Sequence, residues 1–152
     1  MLIYIGADHR GFNLKENIKL WLKNNGYEVY DVGAIAFDPY DDYPDFAKDL
    51  ALNVEKDLEK AKGILICGSG IGVCIVANKF KGIRAGIGIS PDQVFEAKNH
   101  DDINVLCLAS DFIDENLAKK MIEVFLKTPF DSEKKYLRRI EKIKDLEEKI
   151  CK

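Results

Sequence analysis

Apolar runs of strand length alternate along this chain with stretches of helical period. Leu2-Ile3-Tyr4-Ile5-Gly6, Tyr27-Glu28-Val29-Tyr30-Asp31-Val32, Gly63-Ile64-Leu65-Ile66-Cys67, Arg84-Ala85-Gly86-Ile87-Gly88-Ile89 and Asn104-Val105-Leu106-Cys107-Leu108 are five candidate strands. Between them Leu14, Ile18, Trp21 and Leu22, then Phe46, Leu50, Val54 and Leu58, recur at three and four residues, the one-sided stripe of helices covering a sheet. Strands that are apolar nearly throughout suit a parallel sheet covered on both faces. Right-handed crossovers then give an α/β, Rossmann-like three-layer αβα sandwich, whose ligands bind at the carboxyl ends of the strands. Gly26 ends the first helix, and Ser90-Pro91 sets a capping residue before a proline at the first helical position. From Ser132 onward, Tyr136, Leu137, Ile140, Ile143, Leu146 and Ile150 mark an amphipathic helix over 132–150. Amphipathicity alone leaves open whether that helix docks on a partner subunit or on its own domain.

Composition narrows the class. The 152 residues carry 23 Lys plus Arg against 26 Asp plus Glu, with 47% hydrophobic and 32% charged positions, which fits one globular domain over 1–152 and excludes disorder or a disulfide-dependent miniprotein. A net charge of -3 offers no overall basic field for nucleic acid. There is no apolar run of about 18 residues and no signal layout, so no membrane partner is expected and a cytoplasmic location is. Cys67, Cys74, Cys107 and Cys151 form no C-x-x-C pair and read as reduced thiols, and neither they nor the two histidines have metal-ligand spacing.

The densest chemical signal is Gly63 to Val73, a buried strand running through Cys67 into Gly68-Ser69-Gly70-Ile71-Gly72 and then a helix expected to end near Lys81. Glycines at alternate positions let backbone amides close on an anion beside a cysteine. The segment fails both nucleotide fingerprints: Val73 stands where the dinucleotide motif needs its third glycine, and no G-K-[ST] follows. A small oxyanion or sugar fits better. The alternative for the cysteine, taken alone, is a small packing residue before a tight turn. Asp8-His9-Arg10 follows the first strand and belongs at the same sheet edge, with Asp8 able to accept sugar hydroxyls or to cap the helix starting near Gly11, and with His9 and Arg10 able to meet a phosphate. His100, in Asn99-His100-Asp101-Asp102, is either a proton donor and acceptor or a surface histidine at a helix end.

Asp8-His9-x-Gly11, Asp42-Tyr43-Pro44-Asp45, Cys67-Gly68-Ser69-Gly70-Ile71-Gly72, Ala77-Asn78-Lys79, Gly82-Ile83-Arg84-Ala85 and His100-Asp101-Asp102-x-Asn104-Val105-Leu106 together resemble the type B ribose-5-phosphate isomerase family, which also holds allose- and galactose-6-phosphate isomerases. The resemblance implies an aldose–ketose isomerase that works through an enediolate with neither metal nor organic cofactor. It implies Cys67 as base, because Val73 stands where one branch of the family has a glutamate, and His100 as the residue that opens the sugar ring and donates a proton. Ser69 and the loop of Gly68, Gly70, Ile71 and Gly72 match the oxyanion cradle, and Asp8 and Tyr43 would face the sugar. His9, Arg10, Asp101, Lys135 and Arg139 complete the expected substrate contacts. The family shares its site across a homodimer or tetramer, with basic residues near the partner's carboxyl terminus on the phosphate.

The phosphate half departs from the family. Asp111 replaces the arginine of a Ser-Arg pair, Glu133-Lys134-Lys135-Tyr136 replaces Gly-Gly-Arg-His, and Asp101 replaces asparagine. Asp111 and Asp101 would repel a phosphate by on the order of a kcal/mol. His9, Arg10, Lys135, Arg138 and Arg139 are available to offset this. Ribose 5-phosphate is the expected substrate. The alternatives are another sugar, phosphorylated or not, and a sugar-phosphate-binding protein without turnover.

Overall fold

Three consecutive residues of one strand, Ile64, Leu65 and Ile66, have no exposed surface, which requires cover on both faces of the sheet they belong to. The computed structural model describes residues 1–150, so Cys151 lies outside the described residues. Its elements are β1 (Leu2–Ala7), α1 (Phe12–Asn24), β2 (Glu28–Asp31), α2 (Tyr43–Glu55), β3 (Ala61–Cys67), α3 (Ile71–Ala77), β4 (Ala85–Ile87), α4 (Pro91–Asp101), β5 (Val105–Ala109), α5 (Glu115–Lys127) and α6 (Lys134–Ile150). The sheet order is β2-β1-β3-β5-β4 and every pairing is parallel. Ile18 and Leu22 of α1, Val94 of α4 and Met121, Ile122 and Phe125 of α5 pack one face. Leu50 and Val54 of α2 with Val73 and Ala77 of α3 pack the other. The chain turns one way after β1 and the other after β3, so a crevice opens between those two strands at their carboxyl ends.

The ends of several elements differ from the sequence expectation. The outer strands are shorter than their apolar runs because each has only one neighbour. The β2 ladder spans Leu2↔Glu28 to Ile5↔Asp31, leaving out Tyr27 and Val32. The β4 ladder spans Ala85↔Val105 to Ile87↔Cys107, leaving Ile89 exposed. Leu58 lies past the end of α2, in the turn, where it packs against Gly82. The helix after the glycine loop stops at Ala77, well before Lys81, and Asn78 closes it by accepting from the Ala85 N–H at 2.9 Å and donating to the Ala85 carbonyl at 3.0 Å. The predicted caps are present: the Ser90 hydroxyl accepts from Gln93 N–H, and Gly26 has φ +81 just beyond α1.

A lysine is buried where the periodicity put no core residue. Lys15 has no exposed surface, and its Nζ donates to both Asp31 carboxylate oxygens at 2.8 and 2.7 Å and to the Ala34 carbonyl at 2.7 Å. Burial works to raise the Asp31 carboxyl, but hydrogen bonds from Lys15 and Lys19 outweigh it and hold the group below the usual carboxylate range. The end of β2 and the segment after it are thereby tied to α1.

α6 folds back on its own chain only in part. Tyr136 and Ile140 are buried, whereas Leu146 and Ile150 are 56% and 77% exposed. The Glu147 carboxylate accepts the Gly82 N–H at 3.2 Å. A groove of about 650 Å³, lined by Arg84, Asp101, Ile103, Ile143, Leu146 and Ile150, runs beneath this second half. Among the described residues no helix is long and apolar enough to cross a membrane.

Candidate active site

β3 delivers Cys67, buried, to the carboxyl edge of the sheet, and the chain then doubles back over it. Gly70 makes the turn at φ +72, a conformation that favours glycine, and its N–H donates to Cys67 Sγ at 3.1 Å. The Ser69 hydroxyl accepts the Ile71 N–H at 3.3 Å. α3 has only seven residues, and its first-turn amides at Gly72 and Val73 have no intrahelical carbonyl to meet. These loop amides form a cradle of donors beside the sulfur. The Tyr43 ring lies on Gly72 so closely that a Cβ there would sit 2.7 Å from ring carbons.

The loop after β1 fits against this cradle, as expected. Asp8 is buried, and its Oδ1 accepts the N–H groups of Arg10 at 3.0 Å and Gly11 at 3.1 Å. Asp8 therefore fixes the turn ahead of α1 and does not cap the helix itself, whose N-cap is Gly11 with no side-chain hydrogen bond, and its Oδ2 has no partner among the described residues. Arg10 lays its guanidinium over Gly68 and pairs through Nη2 with Asp111 Oδ2. Asp111 N–H donates to the Gly68 carbonyl at 3.1 Å, Ser110 N–H donates to the Cys67 carbonyl at 2.9 Å, and the Ser110 hydroxyl is 3.0 Å from the Arg10 carbonyl. The loops after β1, β3 and β5 are thus interlocked, and the charge of Asp111 is engaged by Arg10. Beside them, His9 gives both its backbone N–H (2.9 Å) and its Nδ1 (2.7 Å) to Asp41 Oδ1. That side-chain hydrogen bond is the main cause of an imidazole pKa raised above its ordinary value, with partial burial opposing it and the charges of Asp8 and Asp41 adding to it. Sequence reasoning missed Asp41, one of five acidic residues between Asp38 and Asp49 with nothing local to single it out.

His100 lies elsewhere. α4 runs back from the carboxyl end of β4, and His100 falls five residues before Val105, at the amino end of β5. Cys67 pairs with Ala109 at the other end of that strand, so about 15 Å of strand separates the two levels. The His100 ring stacks on Tyr136 with centroids 4.3 Å apart and planes at 9°, and its Nδ1 meets Glu96 Oε2 at 2.7 Å. Lys135 Nζ and Arg139 Cζ lie 4.5 and 5.7 Å from the Tyr136 ring centroid. Asp101 borders the groove under α6. One chain therefore gathers Asp8, His9, Arg10, Tyr43 and the loop from Cys67 to Gly72 at one edge of the sheet, and His100, Asp101, Lys135 and Arg139 at the other. Tyr136, read in the sequence as one more apolar stripe residue, is what seats His100.

The described cysteines, Cys67, Cys74 and Cys107, are free thiols. Cys74 is lowered to about 7, chiefly by a hydrogen bond with Cys107, so thiol alkylation would not report on Cys67 alone. Among the described residues no three His, Cys, Asp or Glu side chains gather as a metal site requires.

A buried thiol beside free loop amides at the switch point of a parallel α/β sheet is an arrangement that can receive a small oxyanion. The Ribose/Galactose Isomerase family model matches residues 3–143, and the chain belongs to that family, within its ribose-5-phosphate isomerase B branch. It is similar to the crystal structure of ribose-5-phosphate isomerase B from Mycoplasma genitalium with bound ribulose-5-phosphate, at TM-score 0.94 and 44% identity over 97% of this chain and 96% of that one. Ribose-5-phosphate isomerase B of Escherichia coli (strain K12) is 37% identical over 147 residues, 97% of each protein. 4-Deoxy-4-sulfo-D-erythrose isomerase of Clostridium sp. (strain MSTE9) is 38% identical over 131 residues, 86% of this chain and 81% of that protein. The protein is accordingly an aldose–ketose isomerase of sugar phosphates.

Proposed function

We propose that this enzyme interconverts ribose 5-phosphate and ribulose 5-phosphate, with Cys67 as the base. His100 first gives a proton to the ring oxygen while the C1 hydroxyl releases its own to solvent, and the bond between C1 and the ring oxygen breaks to leave the open aldose. Cys67 Sγ then takes the proton from C2 of the open aldose, and the electron pair moves through C1=C2 onto the carbonyl oxygen at C1. The cradle amides of Gly68 to Gly72, with Ser69, hold that enediolate oxygen. Return of the proton to C1 and transfer of the O2 proton to O1 complete the ketose, with no net oxidation. Asp8 Oδ2 and Tyr43 are free to meet sugar hydroxyls. The observation that carries this reading is Cys67 held by the Gly70 N–H next to the first-turn amides of Gly72 and Val73, which have no intrahelical carbonyl to meet.

The separation of His100 from Cys67 along β5 bears on assembly. In this reading two copies related by a two-fold axis complete each site, the His100, Lys135 and Arg139 patch of one meeting the Cys67 loop of the other. The exposed Ile71 and Ile75 of α3 and the bare half of α6 are consistent with cover by a second chain. A second reading keeps the chemistry and changes the sugar. The pairing of Arg10 with Asp111, where the family usually has an arginine, favours it, and the sulfonated tetrose named for the Clostridium relative is one such substrate.

The test is solvent deuterium exchange into C1 or C2 of ribose 5-phosphate, allose 6-phosphate and unphosphorylated ribose. Exchange into ribose 5-phosphate that disappears in Cys67→Ala supports the proposal. Exchange that survives in Cys67→Ala removes the thiol from the base role, and preference for another sugar moves the assignment to that sugar.

A further inference from the structure

The segment between β2 and α2 places Asp41 against His9, thirty-two positions away in the chain. The Asp41 side chain is only 9% exposed, and one of its oxygens, Oδ2, is buried without any hydrogen-bond partner. Its other oxygen serves His9 alone, accepting both the backbone N–H and the ring Nδ1. A carboxylate can only accept, so Nδ1 carries the proton and Nε2 is the ring nitrogen left over. No described residue bonds Nε2, and the His9 side chain is 29% exposed. A buried carboxylate whose only company is a histidine needs that histidine as its counter-charge, because an unpaired buried charge is costly.

We propose that Asp41 is a positioning residue for substrate binding, clamping His9 by its Nδ1 edge and backbone so that Nε2–H is presented as a cationic donor to the anionic end of the sugar phosphate. This rests on the reading above, in which the loop after β1 faces the substrate. It also answers a question of charge. Arg10 is engaged by Asp111, so His9 is the cation of this loop left for an incoming dianion. The direction of the His9 pKa agrees. The titratable groups facing the ring are Asp41 from the segment before α2 and Asp8 from its own loop, both acidic and both favouring the imidazolium. For a raised histidine, the ion pair is fully formed below the ordinary imidazole pKa and lost as pH rises through the raised one. Binding of the anionic substrate should weaken over that same upper interval.

The chain has two histidines, which makes the experiment clean. Ring NMR titration of the wild-type protein and of Asp41→Asn, with His9→Ala to assign the signals, reads the pair without any substrate. In Asp41→Asn the His9 midpoint is expected to fall and the His100 midpoint to stay. In kinetics Asp41→Asn should raise KM for ribose 5-phosphate by about tenfold with kcat little changed, as loss of a binding contact does. Its rise of KM with pH should also begin at lower pH than in wild type. Asp41→Glu should recover most of both effects, and it guards against a general loosening of the segment. An unchanged His9 midpoint in Asp41→Asn, or a shifted midpoint with unchanged KM, overturns the proposal. Absence of isomerisation in the wild-type protein fails the function reading instead, and the NMR arm still decides whether Asp41 charges His9.

Discussion

The two edges of the sheet carry chemistry in opposite styles. At the carboxyl edge, Cys67, Arg10 and Asp111 come from three segments that hydrogen-bond to one another, and glycines at 11, 68 and 72 stand where a Cβ would strike a neighbour. At the amino edge His100 is held by one stacked ring and one glutamate on the surface of α4, beside a helix half of whose apolar side is bare. The first is a rigid cradle whose donors are aimed before substrate arrives, as electrostatic stabilisation of an enediolate demands. The second has the proposed proton donor and the cations Lys135 and Arg139 but no enclosure. In the proposed mechanism the base is thus locked and the acid loosely mounted, an arrangement that suits an acid seated against a second chain.

Mixing two inactive variants tests that division most severely. Cys67→Ala and His100→Ala alone should each lose at least about a hundredfold in turnover. If the edges of different chains combine, mixed dimers regain one intact site, and an equimolar exchanged mixture returns to about a quarter of wild-type activity. No recovery after verified subunit exchange would mean that each chain completes its own site.

Next in size is a change that strikes only the rigid edge. Gly11→Ala would place a Cβ 2.5 Å from the Ile66 carbonyl oxygen, and backbone cannot step aside as a side chain can. A loss of about 1–3 kcal/mol is expected in denaturant unfolding. A smaller loss would show that the loops slide, and the contrast between the two edges would soften. Tyr136→Ala strikes the other edge. Loss of the stacked ring should cost about 0.5–1.5 kcal/mol of local ordering, read as a several-fold fall in ring opening while exchange from an acyclic substrate analogue is spared. The smallest effect belongs to the Arg10–Asp111 pair, which is largely exposed. A double-mutant cycle should find coupling below about 1 kcal/mol in stability, and a larger value would make the pair a structural lock of the cradle.

Much of the cradle was legible in the primary structure because strand, glycine turn and helix are local, and a cysteine between them has few places to go. The five strands were legible because most are apolar nearly throughout, β2 with its Glu28 and Asp31 being the exception. Their ends were not: the ladders of β2 and β4 end at Asp31 and Ile87 although β1 and β5 run on to Ala7 and Ala109, and no local pattern records where an edge strand leaves its neighbour. Lys15 lies outside the apolar stripe of Leu14, Ile18, Trp21 and Leu22, and only its encounter with Asp31 and Ala34 accounts for its burial. Asp111 read as a charge opposed to phosphate until Arg10, a hundred positions away, was found against it.

The order of apolar and polar residues by itself determined a parallel α/β sheet, the edge where its loops gather, and Cys67 with its amide cradle, since each depends on neighbours a few residues apart. Tertiary structure alone decided which of several aspartates meets His9, which cation answers Asp111, and that His100 stands at the far end of β5 from Cys67. Charge pairing and reach are properties of distance in space, and the chain crosses the sheet between the residues concerned.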